Sequence, residues 1–205
     1  MTRLVIVGAG GYGREMFGAA RGVFEVKGFL DDNPRALDGF AGYPPVLGSI
    51  DGYAPQADDV FITAFGSIPT RRRAVAAIAA KGGKFATLVH PGALLGPNVE
   101  VGEGVFIAPN VVLTADIRVG RHAAVFHNTS IGHDSVLGEF CHVYAQCSLG
   151  GAVKVGAGAK VFPGAVVVPR RTIGADAVVG AGSTVVLNVE PGATVFGSPA
   201  APVDR

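Results

Sequence analysis

Cysteine is scarce and tryptophan absent in this chain of 205 residues, whose two cysteines, Cys141 and Cys147, lie six positions apart. Two thiols are too few for the disulfide framework of a small secreted domain. Charge of neither sign prevails, with 17 Lys and Arg against 16 Asp and Glu, and the one basic run is Arg71, Arg72 and Arg73. That balance excludes the basic surface of a nucleic-acid binder. Long apolar runs are missing too. The opening MTRLVIVGAGGYG reaches glycine within a few apolar positions, so neither a signal peptide nor a membrane span is expected, and a cytoplasmic location is the default.

What the chain does have is glycine, 31 residues of it, alongside a 49% hydrophobic content dominated by Val, Ala, Ile and Leu. Disorder would need low hydrophobicity and high charge, so the glycine belongs to a compact structure.

Two halves follow different patterns, and the expected domains are 1–85 and 86–205. The first half alternates strand and helix signals: RLVIVGA (residues 3–9) as a buried strand, GREMFGAARGV (13–23) as a helix, then FEVKGFLDD as a strand ending at Asp31 and Asp32. DVFITAFG (59–66), PTRRRAVAAIAAKG (69–82) and KFATLVH supply a strand, a helix and a last strand. This order predicts a small parallel sheet of Rossmann-like type with its ligand edge where the strands end.

From Val89 onward a repeat takes over. Every sixth residue from Val89 to Val185 is aliphatic, 17 positions in all, and four residues after each comes a small or short apolar side chain, with Arg171 the severe exception. The small residue lies two before the next aliphatic one, so both point to one face of a short strand while the intervening pair turns a corner. Three such strands close one coil of 18 residues, and the 17 hexads make about 5.7 coils of a parallel β-helix. A local bulge is expected at Arg171.

Phase in the hexad separates structural from chemical residues. Cys141 and Cys147 occupy the small inward position, where cysteine acts as a compact hydrophobe. His133 and Asp134 occupy the corner after Ile131, His127 and Asn128 the corner before it, and His122 the one before that. His142, just before Val143, is expected to point outward from a strand. Residues 18 apart stack, which puts Gly151 above His133 and Ala115 below it. A glycine beside the imidazole leaves room for a reacting group and an open backbone N–H. A metal site on His122 and His127 is the competing reading, but consecutive corners lie on different edges of the triangle and no third ligand is evident. No metal is expected.

At the N terminus, GAGGYG (8–13) fits G-x-G-x-x-G directly after a strand, and Asp31 follows 23 residues after Gly8. About 85 residues supply half of a dinucleotide fold, so one nucleotide, with its phosphates on backbone amides, is the expected ligand.

Together the Gly-rich loop, FLDD, ITAFG, the hexads, HNTSIGHDSVLGEFCHV and the closing VFGSPA resemble the bacterial nucleotide-sugar acetyltransferases. That group includes the enzymes acetylating 4-amino sugars for bacillosamine and perosamine, and the related sialic acid O-acetyltransferases. The resemblance implies a Rossmann-like half domain followed by a left-handed parallel β-helix. It implies His133 as catalytic base, with Asp134 raising that base's proton affinity. It implies nucleotide-sugar contacts at Gly10, Gly11, Tyr12, Asp31, Asp32 and Gly66, and acetyl-CoA contacts at His142, Pro163 and Ala181. Tyr12 replaces a histidine that some relatives carry.

The residues support this chemistry on their own terms. An amine attacking a thioester must lose a proton, and an imidazole with an ordinary pKa near ~6.5 takes it at neutral pH. The Gly151 N–H is a candidate donor to the thioester oxygen. Since both cysteines face inward, direct transfer is expected rather than an acyl-enzyme. Pro163 and Ala181 stack over His127, on a different edge from His133, so one chain holds base and cofactor apart. A parallel homotrimer with sites between subunits would bring them together. The expected function is acetyl-CoA-dependent N-acetylation of a nucleotide-linked 4-amino-4,6-dideoxy sugar in polysaccharide biosynthesis. A sialic-acid-type O-acetyltransferase and a zinc hydratase of the same fold are the alternatives.

Overall fold

The computed structural model describes residues 2–203, and its contacts divide the chain between Leu88 and Val89 into two units. In the first, β1 (Arg3–Val7), β2 (Glu25–Leu30), β3 (Val46–Gly48), β4 (Asp59–Thr63) and β5 (Lys84–Phe85) form one parallel sheet in the order β3-β2-β1-β4-β5. Helices α1 (Gly11–Ala20) and α2 (Ile68–Ala80) follow β1 and β4. Leu4 to Val7 are wholly buried, as a central strand covered on both faces requires. Leu30, Phe61, Ala74 and Ile78 pack against Val5 and Val7 in one core.

Three details differ from the pattern read in the sequence. α1 starts at Gly11 rather than Gly13, because Gly13 is part of the packed first turn: a Cβ on it would lie 1.9 Å from the Gly8 carbonyl oxygen. β3 lies in the Gly- and Pro-rich segment that reads as loop, and three residues leave no alternation to detect. KFATLVH is not one strand but two: Lys84–Phe85 closes the first sheet, and Leu88–Val89 opens the coil.

A buried polar network ties the first unit together. Lys27 Nζ donates to Asp59 Oδ1 at 2.7 Å, Tyr53 Oη donates to Asp59 Oδ2 at 2.7 Å, and Gln56 N donates to the same oxygen at 2.9 Å. Burial alone would raise the Asp59 carboxyl, but the hydrogen bonds from Lys27, the Gln56 amide and Tyr53 outweigh it and hold it below the usual range. Arg71, wholly buried in α2, donates from Nε to Thr63 Oγ1 at 2.9 Å.

The second unit holds 17 two-residue strands, from Leu88–Val89 to Thr184–Val185, one per hexad. Each strand up to Val166–Val167 pairs in parallel with the strand 18 residues on, as Val112 with Ser130 and Leu113 with Ile131. Three sheets result. The first runs through Val89, Ile107, Val125, Val143, Val161 and Val179; the second through Leu95, Leu113, Ile131, Leu149, Val167 and Val185; the third through Val101, Val119, Leu137, Val155 and Ile173. In these inward rows every residue from Ile107 to Val185 is buried, while Val89, Leu95 and Val101, in the first coil, are half-buried.

Every corner from Asn98 to Gly182 places one residue at positive φ, at intervals of six. Asn, Asp and Gly take most of these places because they tolerate that conformation best, yet Phe140, Gln146, Ala152 and Arg170 adopt it too, held by the ladder around them. No bulge forms at Arg171: Lys154 pairs with Thr172 and Val155 with Ile173 in unbroken register, and the guanidinium turns out to donate from Nε to the Pro169 carbonyl at 3.3 Å. After Val185 the rhythm shortens by two. Val189 bridges Ile173, Val195 pairs with Val179, and the antiparallel pair β23 (Thr194–Phe196) and β24 (Ala201–Pro202) ends the described chain. No helix among the described residues is long and apolar enough to cross a membrane.

Candidate active site

His133 and Asp134 stand at the corner between the second and third sheets, their side chains 68% and 62% exposed. Asp134 is the positive-φ residue of that corner, with φ 59°, and this turn aims its carboxylate back at the preceding ring. His133 Nδ1 lies 2.6 Å from Asp134 Oδ2. A carboxylate only accepts, so Nδ1 carries a proton, and in the neutral ring Nε2 holds the lone pair. One coil above, Ala152 N donates to the His133 carbonyl at 2.6 Å, which sets Gly151 against the ring. An ideal Cβ on Gly151 would lie 2.7 Å from Nε2. The Gly151 carbonyl accepts from Arg170 N at 2.9 Å, and among the described residues its N–H meets no acceptor. The corner therefore joins an imidazole, a carboxylate bonded to it and an open backbone N–H.

Pro163 and Ala181 share the edge between the first and second sheets. The backbone bonds Gln146 N to His127 O at 3.0 Å, Gly164 N to Ala145 O at 3.1 Å and Gly182 N to Pro163 O at 2.9 Å stack residues 127, 145, 163 and 181 in one column. Both Pro163 and Ala181 are exposed. The two candidate edges thus border the second sheet from opposite sides.

His142 does not join either column and does not present itself to solvent; it is wholly buried. Its phase does point away from the coil interior, but the outer wall of the first sheet is aromatic. The Phe126 ring lies 6.0 Å and the Tyr144 ring 5.7 Å from the imidazole, and His142 Nδ1 and Tyr144 Oη are 3.5 Å apart. Phe126, Tyr144 and Phe162, each 18 residues apart, stack at 5.1 Å and 4.9 Å. His122 is likewise buried, stacked on Phe140 at 4.9 Å, with its ring where a Cβ on Gly104 would go. Two of the four histidines expected on the outside are therefore covered, because a corner or outward phase is exposed only where its stacked neighbours are small. No group of three or more metal-ligating side chains occurs among the described residues.

Both cysteines point inward and are buried. Burial pushes the Cys147 thiol up to about 11, which makes it a poor nucleophile at neutral pH.

In the first unit, Gly10, Gly11 and Tyr12 open α1, and Gly10 caps it without a side-chain hydrogen bond. Space is open where a Cβ on Gly10 would stand. Asp31 sits directly after β2; its Oδ2 accepts from Ala9 N at 2.8 Å and its Oδ1 from Asn33 N at 2.9 Å. Asp32 Oδ1 accepts from Ile50 N at 3.1 Å. Gly66 is exposed just before Ser67, whose side chain caps α2 by accepting from Thr70 N at 3.4 Å. All six expected sugar-nucleotide residues thus lie where strands end, and Asp31 physically joins the Gly-rich turn to the end of β2. One feature escaped the sequence reading: Asp116 lies one coil below Asp134, and both line a cavity of about 470 Å³ with Asn98, Glu100, Arg118 and Val136. The 18-residue step that joins His133 to Ala115 also joins Asp134 to Asp116.

Comparison with known proteins adds to this geometry. The family model described as the PglD N-terminal domain matches residues 3–78, and that of the GMPPB C-terminal domain matches residues 83–177. No curated protein sequence matches the chain. Among solved structures, PerB from Caulobacter crescentus in complex with CoA and GDP-perosamine is 30% identical, covers 100% of this chain and 98% of its own, and superposes with a TM-score of 0.91. A variant of perosamine N-acetyltransferase from Caulobacter crescentus, with asparagine in place of a histidine and the same two ligands, is 28% identical over the same shares, with a TM-score of 0.92. WeeI from Acinetobacter baumannii AYE is 25% identical, covers 99% of this chain and 100% of its own, and gives a TM-score of 0.88.

Proposed function

The chain belongs to the nucleotide-sugar N-acetyltransferases of the hexapeptide-repeat superfamily, and from that premise we propose that it moves the acetyl group of acetyl-CoA to the 4-amino group of a nucleotide-linked 4-amino-4,6-dideoxy sugar. Its β-helix is inferred to be left-handed and its first unit Rossmann-like, with the reaction in the cytoplasm. The observation that carries the site assignment is the His133–Asp134 pair beside Gly151.

The chemistry follows from that corner. Asp134 holds Nδ1–H, so Nε2 takes the proton that the sugar amine loses as its nitrogen attacks the thioester carbon. A C–N bond forms and negative charge develops on the thioester oxygen, to which Gly151 N–H donates. Collapse breaks the C–S bond, and the proton on Nε2 passes to the departing thiolate. Asp134 stabilises the imidazolium between these steps. No covalent acyl-enzyme is required, since neither buried thiol reaches the surface.

Gly10, Gly11, Tyr12, Asp31, Asp32 and Gly66 are assigned to the nucleotide sugar, through the N-terminal turn of α1 and the strand-end position of the two carboxylates. Pro163 and Ala181 are assigned to CoA on their exposed edge. His142 keeps its assignment to the same cofactor through the aromatic wall in which it is embedded. A homotrimer with three intersubunit sites fits the second sheet. Its outward strand positions, Leu94, Val112, Ser130, Ser148, Val166 and Thr184, carry no charge, and Leu94 and Val166 are 63% and 41% exposed. The third sheet carries Glu100, Arg118 and Lys154 at the same positions.

His133→Ala tests the assignment. Acetyl transfer to a nucleotide-activated amino sugar is expected to fall by ~10²- to 10⁴-fold, with CoA affinity by calorimetry unchanged. Full turnover in the variant overturns it.

A further inference from the structure

We propose that Asp116 is a positioning residue of the active-site corner, a second anion that stabilises the imidazolium of His133 from one coil below. The proposal rests on the reading of His133 as the base. Asn98, Asp116 and Asp134 stack in one column, each at positive φ, with Asp116 N bonded to Pro97 O at 3.0 Å and Asp134 N to Ala115 O at 3.1 Å. Consecutive coils are about 4.8 Å apart, so Asp116 and Asp134 take adjacent places in the column, and both line the same cavity. Asn98 Nδ2 donates to Asp116 Oδ1 at 2.8 Å, which fixes the side chain in the column.

The turn itself does not need the charge. On the neighbouring edge of the coil, Asn110 Nδ2 donates to Asn128 Oδ1 at 3.2 Å, and two neutral amides occupy the same backbone conformation. Two stacked carboxylates repel, so the aspartate is the less favourable choice for the scaffold alone. It becomes favourable when a cation forms beside it, which is the state His133 enters in each turnover.

The cation that shares the cavity with Asp116 and Asp134 is Arg118, and it is paired with Glu100. Above the ring stand Gly151 and Ala152, and Arg170 lies a further coil up the column. Below is Ala115. Across the corner, Val136 is apolar, with Arg118 and Glu100 beneath it paired at 3.4 Å, each more than two-thirds exposed; Lys154 stands above Val136.

Asp116→Asn removes the charge while keeping shape, turn preference and the Asn98 partner. The midpoint of the His133 imidazole titration, followed by NMR with His133→Gln identifying its resonance, is expected to move down by about 0.5 pH unit at low salt. The acid limb of kcat/KM should move by the same amount, and the difference should shrink in 1 M salt, where screening acts within ~3 Å. Asp176→Asn, a positive-φ aspartate at another corner, is the control and should leave the midpoint in place. A midpoint in Asp116→Asn within about 0.1 unit of the parent, or an equal shift in the control, overturns the proposal. Absence of turnover in the parent protein would instead overturn the acetyltransferase reading, and the titration would still report on Asp116.

Discussion

The imidazole of His133 occupies the volume that a side chain on Gly151 would need, with Nε2 2.7 Å from where a Cβ would stand. Base and backbone donor are thereby brought together by the absence of an atom. Gly151 lies outside the positive-φ set, so alanine is allowed by its backbone and acts through space alone. Gly151→Ala should push the exposed ring aside and lower kcat by ~100-fold, while changing stability by less than ~1 kcal/mol, because the displaced group is a mobile surface side chain. Kinetics and a thermal melt on the same preparation check both halves.

Asp134→Asn keeps a residue suited to positive φ but removes the charge that holds Nδ1–H and steadies the imidazolium. A fall in kcat of ~10- to 100-fold is expected, smaller than for a buried triad because the pair is exposed. Unchanged kcat would show that the carboxylate plays no part.

Association through the second sheet is tested at its apolar outward positions. Light scattering should report a mass three times that of the chain. Val166→Arg should convert the trimer to single chains with the coil intact by circular dichroism and the activity lost. A monomeric parent, or an active monomeric variant, would remove the intersubunit site.

The Lys27–Asp59–Tyr53 network predicts a pH window for stability. Asp59 is held below its ordinary value, so its contribution is present above about pH 4 and is lost as pH falls through the folded-state value. For Lys27, burial lowers the ammonium, and the hydrogen bonds to Asp59 and Tyr53 together with the Asp59 charge more than restore it, so its contribution is present below about pH 10 and is lost as pH rises beyond. Asp59→Asn should cost about 2 kcal/mol at pH 7, because the carboxylate is fully covered and Lys27 loses its counterion. It should also flatten the acid side of the urea-midpoint profile against pH.

Buried thiols predict inertness. Cys147, pushed up to about 11 by burial, and Cys141 should react with a thiol reagent only after denaturation, and Cys147→Ala should retain full turnover. Rapid labelling of the folded protein would contradict the inward phase.

The coil was legible in the sequence because its constraint is local and repeated. Each hexad must supply one aliphatic and one small side chain to the same interior, so the strands from Leu88–Val89 to Thr184–Val185 fall where the period of six puts them. The Gly151–His133 stack was legible for the same reason, as a step of 18. The limits of α1, the short β3 and the break inside KFATLVH were not, since each is set by partners distant in sequence rather than by a periodic signal.

Sequence alone determined which side chains face in and which face out, with Arg171 as the exception, because a polypeptide closing a three-sided coil has one phase that buries its aliphatic residues. Tertiary structure alone decided which outward residues meet solvent. His133 is open because glycine stands above it, whereas His142, in an equally outward phase, is sealed among Phe126 and Tyr144. Exposure depends on the sizes of neighbours a whole coil away, and those are joined only when the chain has wound.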